Sequence, residues 1–169
     1  LQHYANAQRD TWQFEGEPRA VWSALLPMGG AVSGVAGRNW LLVGDAAGCV
    51  NPLNGEGIDY GLETGHLAAD LLAHSIPSST TDLSGQWGPL LSERYGSAFS
   101  IARRLAGVLT QPGFLGTFGP WGMRSRPLMK VALRVMGNLV TPEDTDIVAR
   151  VWRTAGRGSL RWDDRPPFT

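Results

Sequence analysis

Asp45 follows the apolar run Trp40-Leu-Leu-Val43 and Gly44, and Pro52, Gly55 and Gly57 come soon after it. Open sheets place ligands at the carboxyl ends of their strands. A carboxylate there repels phosphate but accepts hydrogen bonds from sugar hydroxyls, so Asp45 is expected to face a polyol. Pro52 removes one backbone donor and stiffens the loop, while Gly55 and Gly57 let the backbone approach a flat ring with no Cβ in the way. The amides of Gly57 and Ile58 would open the next helix and stabilise negative charge on the carbonyl edge of that ring by about 0.3–1 kcal/mol. A partly anionic ring or a phosphate is the natural occupant of such a loop. Gly44 and Ala46 complete the turn on either side of Asp45. The competing reading is a plain strand-to-helix turn with an N-cap, which needs only one polar residue.

Several elements must hold this loop. Residues 40–43 are apolar at every position, as in a strand covered on both faces of a parallel or mixed sheet. Upstream, Arg19-Ala-Val-Trp-Ser-Ala-Leu-Leu-Pro27 has strand character, and Met28-Gly-Gly-Ala-Val-Ser-Gly34 reads as a flexible turn between two strands. From Glu56 to His74 the pattern becomes helical: Ile58, Leu62, His66 and Ala69 form a stripe that Leu67, Leu71 and Leu72 widen. Pro77 and the cluster Ser78-Ser-Thr-Thr81 end it. A second helix is predicted over 83–109, weakened by Gly85, Gly88-Pro89 and Gly96. Residues 111–122, rich in glycine and aromatics, read as a loop. Pro127–Val140 is predicted as a helix with proline in its first turn, and a further helix is expected from Pro142-Glu143, capped by Thr141. The tail from Arg157 is polar and proline-ended, and is expected to be loosely held.

Composition bounds the function. A chain of 169 residues suits one domain with a real core. The formal charge is zero, with 15 basic and 15 acidic residues, so nothing in the total points to nucleic acid. The charge is unevenly spread, because no Asp or Glu occurs between Arg94 and Pro142. Within that span Lys130, Arg134 and Gly137 share one side of the predicted helix, with Leu128, Val131, Ala132, Val135, Met136 and Leu139 around the rest. Two readings stay open: an interfacial helix with Phe114, Phe118 and Trp121 as anchors, or a core helix with a solvated basic edge. The segment is too short and too charged to span a bilayer. The single cysteine, Cys49, excludes an internal disulfide and fits a reducing, cytoplasmic compartment. Its simplest role is a small buried thiol, the alternative being contact with the ligand. His3, His66 and His74 are far apart in sequence and from Cys49, so no metal site is expected. Trp12, Trp22, Trp87, Trp152 and Trp162 are expected in the core or at its rim.

Gly44-Asp-Ala-Ala-Gly48, Asn51-Pro52 and Gly55-Glu-Gly-Ile58 together closely resemble the second flavin motif of the FAD-dependent oxidoreductases that include geranylgeranyl reductases and aromatic hydroxylases. The resemblance implies FAD as cofactor, with Asp45 on the ribityl chain, Pro52 beside the isoalloxazine face, and the Gly57 and Ile58 amides at the pyrimidine edge. It also implies an α/β fold, the FAD/NAD(P)-binding p-hydroxybenzoate-hydroxylase-like type, extended by a helical cap. Gly48, where hydroxylases carry His, and Glu56-Gly-Ile58 with Glu63-Thr-Gly65 place the chain nearer the geranylgeranyl reductase family, on its menaquinone-reductase-like branch. Gly61 departs from the alanine commoner in that family. No Gly-x-Gly-x-x-Gly with an acidic residue about 20 positions on is present, so the chain resembles the carboxyl-terminal part of such an enzyme.

The division implied is 1–38, the end of a substrate-binding domain and a returning strand; 39–76, the strand and helix of the second FAD motif; and 77–169, a helical region facing substrate or membrane. The reaction implied is saturation of a C=C bond in a polyprenyl lipid, at the inner face of the cell membrane if the basic helix is interfacial. No residue stands out as proton donor, and the electron donor is unspecified. The same motif serves aromatic-ring monooxygenases and flavoenzymes that cyclise or halogenate polyketides. A folded remnant that binds nothing is the non-enzymatic alternative.

Overall fold

The computed structural model describes residues 2–13, 15–16, 20, 22–75, 82–141 and 143–169. Over these residues the chain is helical, with α1 (Gln2–Trp12), α2 (Ile58–Ser75), α3 (Trp87–Leu109), α4 (Phe114–Arg124), α5 (Arg126–Met136) and α6 (Ile147–Arg161). A short 3-10 turn spans Gly44–Ala47.

No sheet forms among the described residues, which corrects the strand expected at 40–43; one antiparallel bridge joins Ala36 to Leu41. Leu42 N donates to Val35 O at 2.8 Å and Gly37 N to Trp40 O at 2.9 Å, so the segment folds back on its own preceding residues. A ladder needs a row of partners along the strand, and residues 35–37 supply too short a row. Residues 22–27, expected as strand, are irregular and mostly exposed, whereas Arg19 and Val21 lie outside the described residues. The α/β expectation is thus met on its helical side only.

The core lies between α2, α3, the segment around Val35–Cys49 and the extreme carboxyl end. Tyr60 of α2 meets Tyr95 and Phe99 of α3 edge-on at ring distances of 5.5 and 5.1 Å. Trp87 is fully buried, and its Nε1 donates to Leu42 O at 2.8 Å. Aromatic rings of this size bury 150–250 Å² each, and they decide which face of α2 turns inward. The buried face carries Tyr60, Thr64 and Ala68, with Leu67 and Leu71 packed against the core. The predicted stripe is therefore corrected, because Ile58 and Leu62 are 80% and 72% exposed, and His66 and Ala69 are also exposed.

The first turn of α3 contains Gly88-Pro89, which explains a start at Trp87 rather than Leu83: proline fits where the backbone N–H has no intrahelical acceptor. The loop expected over 111–122 is mostly α4. Phe114, Phe118 and Trp121 recur at helical spacing, and the rings of Phe114 and Phe118 approach to 5.2 Å. Ser125 caps α5, accepting from Leu128 N. The cap of α6 is Asp146, whose side chain accepts from Ala149 N at 3.1 Å. Thr141 instead donates its own amide to Asp144 Oδ2 at 2.9 Å. Pro142 and the stretch 76–81, expected to end α2, lie outside the described residues.

The tail is anchored, contrary to the expectation from its polarity. Helix α6 crosses α3 where both carry small residues: a Cβ on Gly156 would lie 2.8 Å from Ser97 O, and Ser100 Oγ meets Ser159 Oγ at 2.8 Å. Beyond α6, Asp163 Oδ2 accepts from Ser100 Oγ at 2.6 Å and from Arg103 at 2.8 Å. Burial opposes the charge on Asp163, yet these hydrogen bonds and the Arg165 amide hold its carboxyl below the ordinary range. Phe168 is buried and its amide donates to Gly30 O at 2.9 Å. Trp12, Trp22 and Trp162 are exposed rather than packed in the core; α1, which carries Trp12, has no buried residue.

Candidate cofactor-binding site

The loop from Gly44 to Ile58 is built by short-range hydrogen bonds that its sequence dictates. Gly44 and Gly48 have φ of 55° and 67°, a left-handed conformation that glycine adopts without strain. Gly48 N donates to Asp45 O at 2.9 Å and Cys49 N to Gly44 O at 3.0 Å, which closes the turn around Asp45, Ala46 and Ala47. Asn51 Oδ1 accepts from Leu53 N at 2.9 Å and Asn54 Oδ1 from Glu56 N at 2.8 Å. These are two Asx turns, the local preference of asparagine. Asn51 N to Glu56 O at 2.8 Å and Gly55 N to Asn51 O at 2.9 Å close the loop over Pro52. Gly29 and Gly30 brace it from behind, donating to Val50 O and Gly48 O at 2.8 Å each.

Thr64 fixes the turn against α2. Its Oγ1 is buried, accepts from Gly44 N at 2.9 Å and donates to Tyr60 O at 2.6 Å. Gly44 and Gly61 are in close approach, since a Cβ on Gly44 would stand 3.2 Å from Gly61 Cα. Neighbouring Glu63 pairs with Arg94 of α3, at 2.9 Å from Nε. Thus Glu63-Thr-Gly65 ties the loop, α2 and α3 together.

The structure brings Asp45, Gly57 and Ile58 to one place. A Cβ on Gly57 would be 2.6 Å from Asp45 Oδ1 and 3.3 Å from Val50 Cγ2, so only glycine leaves that carboxylate where it stands. The side chain of Asp45 is exposed and makes no hydrogen bond with the described residues. The amides of Gly57 and Ile58 also lack acceptors among the described residues, whereas Asp59 N is taken by Glu56 Oε1 at 2.8 Å. Free donors at a helix start beside a free acceptor suit a ligand with an electron-rich carbonyl edge and a hydroxylated arm. Ala46 is exposed on the same turn and Gly55 has open space around it, whereas Pro52 is half-buried, with its Cγ 3.0 Å from where a Cβ on Gly29 would stand.

Further residues surround the loop. Asn54 Nδ2 donates to Met136 O at 2.7 Å and Tyr60 Oη to Asn138 Oδ1 at 3.0 Å, so the end of α5 is fastened to the loop. Burial, with the Glu56 carboxylate nearby, pushes the Tyr60 phenol up to about 12, so it stays protonated as a donor. Glu56 Oε2 is sealed from solvent without a partner among the described residues. Cys49 is fully buried, and burial followed by the charges of Asp45 and Glu63 pushes its thiol up to about 12. It is a packed thiol, unreactive at neutral pH. A cavity of about 720 Å³ lies elsewhere, between residues 30–33, the Ser100–Arg104 turn of α3 and the tail from Asp163. Two of its arginines are already engaged, Arg103 by Asp163 and Arg165 O and Arg104 by Trp162 O.

Over its whole length the chain is 62% identical to the menaquinone reductase of Mycolicibacterium smegmatis, of which it covers 41%. It is a homologue of the menaquinone reductases. The menaquinone reductase of Mycobacterium tuberculosis is likewise 62% identical over all 169 residues, which are 40% of that protein. The chain thus spans about 40% of the length of these menaquinone reductases. More distantly, digeranylgeranylglycerophospholipid reductase 3 of Methanosphaera stadtmanae is 46% identical over 50 residues, 30% of this chain and 13% of the relative. No family model and no solved structure matches.

Proposed function

We propose that this chain forms the part of an FAD-dependent reductase that holds the isoalloxazine ring, and that the whole protein saturates a C=C bond in a polyprenyl chain, the side chain of menaquinone or a geranylgeranyl group. The observation that carries this reading is the pair of unpartnered amides at Gly57 and Ile58 beside the free carboxylate of Asp45. The similarity to menaquinone reductases supports the substrate class. Residues 39–76 form the second flavin motif, 1–38 close the substrate-binding region and 77–169 form a helical cap over it. A sheet completed by the rest of the protein would give 40–43 the partner row it lacks here.

When bound, a reduced flavin would supply hydride for one carbon of the double bond, the other carbon taking a proton. The chain's own contribution is to bind and orient. Asp45 accepts hydrogen bonds from the ribityl hydroxyls, with Gly44 and Ala46 shaping the turn that presents it. Gly57 and Ile58 donate to the pyrimidine edge and stabilise negative charge there by about 0.3–1 kcal/mol, more where water is excluded. Pro52 and Gly55 let the ring lie flat against the loop.

The test is to incubate the full-length protein, with reductant, with menaquinone and to follow the quinone by mass spectrometry. A gain of two hydrogens in the prenyl chain is expected. In a parallel incubation with dioxygen and a phenol, incorporation of an oxygen atom into the phenol, with the prenyl chain of menaquinone unchanged, would instead assign the protein to the monooxygenases.

A further inference from the structure

Helices α4 and α5 form a hairpin in which none of the described residues is buried. The two helices touch where Leu128 lies over Gly122, 3.6 Å from the position a Cβ would take there. Their outer surface carries Phe118, Trp121, Met123 and Leu133, between 56% and 70% exposed. Large apolar side chains left this exposed on one short hairpin are the kind of surface that marks an interaction site.

Charge says which partner fits. Arg124, Arg126 and Lys130 are exposed on the same hairpin and make no ion pair among the described residues. Arg134 differs: it bridges Asp144 at 2.8 Å and Asp146 at 2.6 Å, and so pins the end of α5 to the start of α6. Between Arg94 and Pro142 there is no acidic side chain to repel an anionic surface. No described helix is long and apolar enough to cross a membrane. A tryptophan and phenylalanine among leucine and methionine, with unpaired cations beside them, match the headgroup region of an anionic bilayer, into which an interfacial helix sinks roughly 5–10 Å.

We infer that the α4–α5 hairpin docks on an anionic lipid surface through Phe118, Trp121 and Leu133, with Arg124, Arg126 and Lys130 among the phosphate headgroups. The Asn54–Met136 and Tyr60–Asn138 hydrogen bonds then hold the Gly44–Ile58 loop at the membrane side of the molecule. This goes beyond the reductase reading, because it concerns binding to lipid whether or not the flavin is present.

The experiment is flotation of the full-length protein with quinone-free vesicles of phosphatidylcholine alone or with a third phosphatidylglycerol. Wild type is expected to float with the anionic vesicles and much less with the neutral ones. The triple variant Arg124→Gln, Arg126→Gln, Lys130→Gln should lose affinity by about 100-fold, at about 1 kcal/mol per basic residue near the surface. Phe118→Ser with Trp121→Ser should abolish flotation while far-ultraviolet circular dichroism and melting stay as in wild type. Arg134→Gln, by contrast, should leave lipid charge selectivity intact. Absence of flotation by wild type, or equal flotation by both multiple variants, overturns the inference. So does a wild-type dimer in solution that the Phe118/Trp121 variant converts to monomer without changing flotation, which would make the patch a contact between copies.

Discussion

Thr64→Val is the most revealing substitution in the scaffold of the site. Valine matches threonine in shape, so no cavity forms and the change removes only a hydroxyl. That hydroxyl is the acceptor for the Gly44 amide at 2.9 Å, in a place without solvent access. Leaving a buried donor unsatisfied costs about 1–3 kcal/mol. The second bond, to Tyr60 O at 2.6 Å, matters less, because that carbonyl sits inside α2 and keeps its helical partner. For a domain of this size each kcal/mol lowers the melting temperature by about 2–4 °C, so differential scanning calorimetry should show a drop of about 2–12 °C. Thr64→Ser keeps the hydroxyl and should fall by less than the valine variant. Flavin retention should weaken in Thr64→Val, since the Gly44–Ala47 turn that presents Asp45 loses its tie to α2. A valine variant that melts with wild type, or a serine variant as unstable as the valine one, would refute the assigned role of Thr64.

Gly57→Ala places a Cβ 2.6 Å from Asp45 Oδ1, the mobile end of an exposed side chain. Melting should move by no more than about 2 °C, whereas FAD affinity, measured by fluorescence titration, should fall about 10-fold or more as the carboxylate is displaced from its partner. Gly61→Ala meets open space inside α2, so it should raise stability by about 0.5–1 kcal/mol, read from denaturant midpoints. The hydrogen bonds from Arg134 and the Ala149 amide hold the Asp146 carboxyl down at about 2. A depressed folded value means that its contribution to stability is present above the unfolded value of about 4 and is lost as pH falls toward 2. Carboxyl carbon shifts should show that midpoint, and Arg134→Gln should move it upward.

The path of the loop is more legible in the sequence than the fold around it. Loop chemistry is local: two asparagines before small loops, a proline and glycines in left-handed or crowded positions specify the path from Gly44 to Gly57 with few distant contacts. Helices α2, α3 and α5 were visible from period and caps for the same reason. The aliphatic stripe points to the wrong face of α2 because Tyr60 and Thr64 count as polar in it, yet the Tyr60 ring packs on Tyr95 and Phe99 and the Thr64 hydroxyl has an amide partner, so both are buried while Ile58 stays exposed. Residues 40–43 carry a strand pattern, but pairing is set by neighbours that a pattern does not contain. Glycine richness hid α4, although Phe114, Phe118 and Trp121 kept its period. The tail looked loose because Asp163 and Arg165 are charged. Only the fold shows that Ser100 and Arg103 wait opposite them.

The most direct test of the central claim is a crystal structure of the full-length protein with FAD bound. The Gly57 and Ile58 amide nitrogens should lie within hydrogen-bonding distance of the pyrimidine edge, about 2.7–3.2 Å, with the Asp45 carboxylate on the ribityl hydroxyls. Those amides turned to solvent or capped by protein side chains, with the isoalloxazine ring seated elsewhere, would contradict the account.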